Sequence, residues 1–234
     1  GTGNVALGDA ALDSLTSGSY NTALGPNALT ANTSGISSVA VGHSALLVNT
    51  TGQQSVAVGN SSLENNTSGS YNTALGRSAL SANTTASYNT AVGYQSLTSN
   101  TTGTRNVGVG YNTLSLNTTA NDNTSVGHDA LDVNTTGAFN TALGSSALGS
   151  NTTAAANTAV GYQALTTNTT GGDNAAFGYQ AAQSNTTGDY LTAIGRQALY
   201  NNTTADNNTA VGYQSLYANT TGSALTAVGT ATLD

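Results

Sequence analysis

Residues 157–173, N-T-A-V-G-Y-Q-A-L-T-T-N-T-T-G-G-D, decide how the whole chain is read. The fifth residue of this stretch, Gly161, has copies every 17 residues in both directions, at Gly8, Gly25, Gly42, Gly59, Gly76, Gly93, Gly110, Gly127, Gly144, Gly178, Gly195, Gly212 and Gly229. Residues 1–234 therefore form a single repeat domain of 14 tandem 17-residue repeats starting at Asn4, the last one incomplete. No copy gains or loses a residue. A disordered linker tolerates changes of length, whereas a chain that closes one turn of fixed circumference per repeat does not. The register predicts an all-β parallel β-solenoid (β-roll) of about fourteen turns.

Counting unit positions from 1 at Asn4, position 4 is always large and apolar and position 9 is Leu in every copy but one, which has Ala182. Position 3 is always Ala, Gly or Ser, and position 2 is Thr, Val or Ala. Short β-branched runs beside an obligatory glycine predict a strand over positions 1–4 and a second over positions 6–9. The invariant glycine between them predicts a backbone with positive φ. Position 15 is Gly or Ala, so it asks only for a small residue. Two large apolar side chains per turn are a thin core for 17 ordered residues. The small residues at positions 3 and 8 suit close approach by another chain. The expectation is a side-by-side homotrimer.

Composition narrows the function classes. Only 6% of residues are charged, Asn and Thr together number 70 of 234, and Lys, Cys, Met and Trp are absent. Without Cys there is no disulfide framework and no thiolate site. Three Arg against ten acidic residues, for a net charge of −7, leave no footprint for nucleic acid. No apolar run is long enough to insert this segment into a membrane. All charged residues and all Tyr fall at positions 6, 7, 10, 16 and 17, which predicts that these five face solvent and the other twelve are packed. No paired carboxylates, phosphate loop, regular Asp column or cofactor motif occurs, so neither an enzyme nor a metal or cofactor site is expected.

Three columns carry candidate roles. The fourteen glycines are the structural turn. At position 12, Asn32, Asn49, Asn66, Asn83, Asn100, Asn117, Asn134, Asn151, Asn168, Asn185, Asn202 and Asn219 each open an N-T-T or N-T-S sequon. Stacked amides can form an Asn ladder, and the same triplets are glycosylation acceptors. The invariant Thr at position 13 has a hydroxyl suited to local backbone bonding in a corner. At position 6, Tyr94, Tyr111, Tyr162, Tyr179 and Tyr213 offer aromatic faces to a glycan or receptor, or else cover neighbouring turns.

Residues 38–42 and 55–59, both S-V-A-V-G, resemble the S-V-A-[IV]-G core of the head repeats of trimeric autotransporter adhesins. The longer form, N-T-A-V-G-Y-Q-A-L with N-T-T-G, is similar to repeats of phage and bacterial tail-fibre-like proteins. The resemblance spans essentially the whole chain, although its unit is a few residues longer than the usual adhesin repeat. It implies an extracellular structural or adhesive fibre segment, on a bacterial cell surface or as a virion fibre. The implied partners are other copies of itself, in a homotrimer or end to end in a filament, and host or cell-surface glycans or a receptor. Because it begins and ends inside a repeat, the chain is expected to be a section of something longer. Two alternatives are an ice-binding β-solenoid using Thr ranks and a glycosylated self-assembling surface filament.

Overall fold

A computed structural model describes residues 1–233, and its regular structure consists of fourteen three-residue strands. The chain divides into two compact units, Gly1–Ala120 and the residues from Asn121 on. The first holds β1 (Val5–Leu7), β2 (Thr22–Leu24), β3 (Val39–Val41), β4 (Val56–Val58), β5 (Thr73–Leu75), β6 (Thr90–Val92) and β7 (Val107–Val109). The second holds β8 (Thr124–Val126), β9 (Thr141–Leu143), β10 (Thr158–Val160), β11 (Ala175–Phe177), β12 (Thr192–Ile194), β13 (Thr209–Val211) and β14 (Thr226–Val228). Within each unit every strand pairs in parallel with the next, and each residue sits beside its own copy, as Ala23 beside Ala40 and Ala142 beside Ala159. Each unit is thus a parallel β-solenoid built from 17-residue turns.

The strand is shorter than the sequence predicts, and the reason lies at position 1. There the backbone N–H bonds to a side chain instead of a carbonyl. Asn21 N–H donates to Asn4 Oδ1 (2.9 Å) and Asn89 N–H to Asn72 Oδ1 (2.9 Å). Only positions 2–4 are left to form the ladder.

Positions 6–9 are not a second strand. The backbone is left-handed at positions 7 and 9 in every turn, for example Gln95 at φ 54° and Leu97 at φ 53°. Position 17 is left-handed as well, as at Tyr88 (φ 64°). This conformation disfavours any residue with a Cβ, and what it gives in return is hydrogen bonding. Position 7 donates to the preceding turn (Asn27 N–H to Asp9 O, 2.8 Å), while position 9 donates to the following one (Leu29 N–H to Ala45 O, 3.0 Å). The N–H of position 8 bonds within its own turn, Ala28 to Gly25 O (3.2 Å). The segment is therefore a run of turns whose bonds still lie largely between turns, without β geometry.

All fourteen position-5 glycines have positive φ, between 128° and 143°. That region is essentially closed to other residues. A Cβ at Gly93 would also overlap the carbonyl of Gly110. The glycines at position 15 lie outside the left-handed region, and Ala86, Ala120, Ala154 and Ala205 occupy the same place, buried.

The interior differs from the sequence expectation. Position 3 points inward between two outward-facing neighbours, with Ala40, Ala74 and Ala159 fully buried. It packs against position 8: a Cβ at Gly108 would meet Ser96 Oγ, Thr113 Oγ1 and Leu97 Cγ. The small residues at 3 and 8 thus serve the narrow width of one turn and not the approach of another chain. Position 4, expected to be a second large core residue, faces outward. Val58, Leu75, Val126, Leu143, Phe177 and Ile194 are 36–42% exposed. The large buried apolar residue of each turn is instead the position-9 Leu, from Leu29 to Leu216, with Ala182 in one turn. Around it lie small residues and asparagines. Positions 11 and 14 also reach the surface, as at Leu116 and Thr102, so the solvent-facing set is wider than the five charged positions.

Gly93→Ala combines a forbidden φ with backbone overlap and is expected to cost about 2–6 kcal/mol. Gly103→Ala, at position 15, needs no left-handed backbone. Its Cβ would still meet the Ala120 carbonyl, so the neighbouring turn must shift as it does at the four turns that carry Ala, and the cost is expected to be smaller than at Gly93. Urea unfolding of the two variants side by side checks the contrast.

Candidate functional site

The most organised polar structure is interior. Each position-12 Asn from Asn32 to Asn202 is buried, and Asn219 is half-buried. Their Nδ2 groups donate along the axis to the preceding Oδ1. The links run Asn49 to Asn32, Asn66 to Asn49, Asn83 to Asn66, Asn100 to Asn83 and Asn117 to Asn100, at 2.8–3.1 Å. In the second unit they run Asn151 to Asn134, Asn168 to Asn151, Asn185 to Asn168, Asn202 to Asn185 and Asn219 to Asn202, at 2.8–3.2 Å. The second hydrogen of each Nδ2 goes to the position-15 carbonyl of its own turn, as from Asn83 to Ala86 O (3.0 Å). An N-linked glycan is carried on this nitrogen, and along the ladder, as at Asn66, Asn83 and Asn168, it is enclosed with both hydrogens engaged.

A second amide column, not foreseen from the sequence, runs through position 1. Asn72 Nδ2 donates to the same Ala86 carbonyl (2.8 Å), and Asn72 Oδ1 accepts the N–H of Asn89. Where position 1 is Asn, two interior amides therefore converge on the position-15 carbonyl, as on Gly35 and Ala86. The recurrence of Asn at 17-residue spacing in position 1 was the available signal, and Ser38 and Ser55 keep the link through their hydroxyls.

Thr at position 13 bonds between turns and not within its own corner. Thr33 Oγ1 donates to Thr50 O (3.1 Å) and Thr50 Oγ1 to Thr67 O (3.0 Å), and the same link recurs from Thr135 to Thr220. Among the described residues, Gln183 Oε1 is the one buried side-chain oxygen or nitrogen without a hydrogen-bond partner.

The position-6 tyrosines stack on one another along the axis. Tyr94 and Tyr111 have ring centroids 5.4 Å apart with planes 9° from parallel, and Tyr162 and Tyr179 stand 5.4 Å apart at 17°. Arginine extends both stacks. The Arg77 guanidinium lies 5.7 Å from the Tyr94 ring, and Arg196 lies 5.5 Å from Tyr179 and 5.7 Å from Tyr213. Such cation–π contacts contribute about 0.5–1 kcal/mol at exposed sites. Beside this column in the second unit runs a glutamine ladder at position 7. Gln180 donates to Gln163, Gln197 to Gln180 and Gln214 to Gln197, at 3.0–3.1 Å. Further stacks form at positions 17 (Tyr71 on Tyr88, 5.0 Å) and 10 (Tyr200 on Tyr217, 5.1 Å). Ring faces inside a stack are spent on each other, so only ring edges, hydroxyls and the ends of stacks are open to a ligand.

Titratable groups are scattered, and no three His, Asp or Glu side chains among the described residues gather as metal ligands would. His128 Nδ1 and Asp129 Oδ2 lie 2.9 Å apart. Asp132 is held above its ordinary value of 3.8, chiefly by desolvation and then by the neighbouring Asp129 carboxylate. Because its folded-state pKa is raised, its protonated form favours folding, and that contribution is lost as pH rises through the folded value.

Asn83→Ala removes one rung, leaves Asn66 Oδ1 without its axial donor and is expected to cost about 1–3 kcal/mol in chemical unfolding. The intact mass of the folded chain is expected to equal the 23.0 kDa of its sequence, with no hexose-sized increments. Asp132→Asn is expected to raise the unfolding midpoint at neutral pH, the gain disappearing by about pH 3, where the wild-type carboxyl is protonated folded or unfolded. Thermal scans across this range read the difference. Compared with known proteins, the chain matches no family model, no curated protein and no solved structure.

Proposed function

We propose that the chain is a segment of an extracellular structural or adhesive fibre, on a bacterial surface or a virion, in which copies lie side by side. Three is the preferred number. The observation that carries this is the outward strand face. Position 4 presents a column of half-exposed Leu and Val in each unit, joined in the second by Phe177 and Ile194, and flanked by the Thr and Val of position 2. Apolar columns of this regularity are costly to leave in water and mark interaction surfaces. A second copy has the same column at the same spacing, so side chains can interdigitate turn by turn without any change of register.

The interior supports the same function. Backbone groups, Asn amides and Thr hydroxyls bond the neighbouring turn, so that load is carried by many parallel axial bonds. Each contributes only about 0.5–1.5 kcal/mol net, but they yield together. Added repeats extend such a stack without redesign, because each turn contacts mainly its neighbours.

Size-exclusion chromatography with light scattering is expected to give a multiple of the 23.0 kDa chain, with three copies favoured. The double variant Leu75→Lys, Leu143→Lys places charge in the outward column of both units. It is expected to elute as a monomer with an unchanged circular dichroism spectrum. A wild-type chain that stays a folded monomer at high micromolar concentration would sink the proposal.

A further inference from the structure

The position-6 column of the second unit contains an interruption. From His128 the column reads His128, Ser145, Tyr162, Tyr179, Arg196, Tyr213, so one small side chain stands between two rings. Tyr162 is stacked on Tyr179 on one side, and the next side chain of its column on the other side is that of Ser145. Tyr162 is 46% exposed and the His128 side chain 60% exposed. His128 and Tyr162 are two turns apart, about 9–10 Å at strand spacing. A six-membered ring set in the missing step would stand about 5 Å from each neighbour, within the 4.5–7 Å range over which rings stack.

The groups at the rim decide which ring fits. Position 7 supplies Asp129, Ser146 and Gln163 in three successive turns, immediately beside His128, Ser145 and Tyr162. The Asp129 carboxylate is one-third exposed and bonds His128 through Oδ2. Gln163 Oε1 accepts from Gln180 and Gln183, which fixes its amide with Nε2 still available to donate. Stacking faces bordered by a carboxylate, an amide and two hydroxyls suit a ligand with an apolar C–H face and a rim of hydroxyls. Residues 123–173 contain no Lys or Arg, so nothing there would neutralise an anionic sugar. Arg196 is already stacked between Tyr179 and Tyr213.

We propose that the step between His128 and Tyr162, floored by Ser145, is a binding notch for a neutral pyranose. The pyranose lies against Tyr162 and hydrogen-bonds Asp129 and Gln163. This deepens the adhesive half of the fibre proposal and rests on it.

Titration of the assembled protein with methyl α-mannoside, methyl α-glucoside and methyl β-galactoside, followed by saturation-transfer NMR, tests the notch. At least one of the three is expected to bind saturably in the millimolar range, and glucuronate at least tenfold more weakly. Ser145→Tyr fills the missing step with the residue that five other turns carry there, so the fold is retained and sugar binding is expected to vanish. Tyr162→Ser removes the platform and is expected to weaken binding at least tenfold. Absence of saturable binding by the wild-type chain, or unchanged binding by Ser145→Tyr, overturns the proposal. Oligomeric state is read separately by light scattering, so failure of the notch and failure of the fibre assignment are distinguishable.

Discussion

Every group in this fold lies beside its own copy one turn away, and that adjacency selects which residues can occupy each position. A side chain that can both donate and accept finds a partner in its own copy. Asn at positions 1 and 12, Thr at position 13 and Gln at position 7 all do so. A charge finds only repulsion from its copy, and charges are accordingly rare and scattered. The one like-charged pair in adjacent turns is tolerated because each carboxylate caps a backbone donor. Asp189 accepts from Gly172 N–H (2.6 Å) and Asp206 from Asp189 N–H (2.8 Å).

The same adjacency permits an interior that would fail elsewhere. Buried asparagines carry a desolvation penalty unless every donor and acceptor is matched. Here the match is supplied by translation along the axis, and the position-15 carbonyl takes the remaining hydrogens. A turn can therefore close around one Leu and several amides, where an ordinary small domain needs a larger apolar core. The apolar residues that remain at position 4 are released to the outside.

Much of this was legible in the sequence because the period is strict. Gly93 and its thirteen copies gave the number of turns and the positive φ, and the parallel in-register strands followed from the fixed step. What misled was hydrophobicity taken without direction. Val92 and Leu97 look equally like core residues, yet the strand alternates, and with Ala91 inward the Val beside it must face out. The left-handed Leu97 was not legible, since nothing in a leucine announces positive φ; its own axial hydrogen bond compels it. The position-1 amides could have been read from their recurrence, but Ser38, Ser55, Leu191 and Leu225 obscure the column. The interruption at Ser145 becomes meaningful only once the rings on either side are known to stack.

Three residues per turn with a Cβ in the left-handed region bear on how the chain acquires its structure. Each such residue opposes folding by about 1–2 kcal/mol on its own, and the bonds that hold it come from the turns above and below. A single repeat in isolation thus has little reason to adopt its shape. A formed turn, by contrast, displays the donors and acceptors that the next stretch of chain requires. Order is therefore expected to spread from an initial nucleus by copying, each finished turn acting as the mould for its successor. An insertion that is not a whole repeat would halt that copying at the point where it occurs, which accounts for the absence of any length variation among the complete repeats.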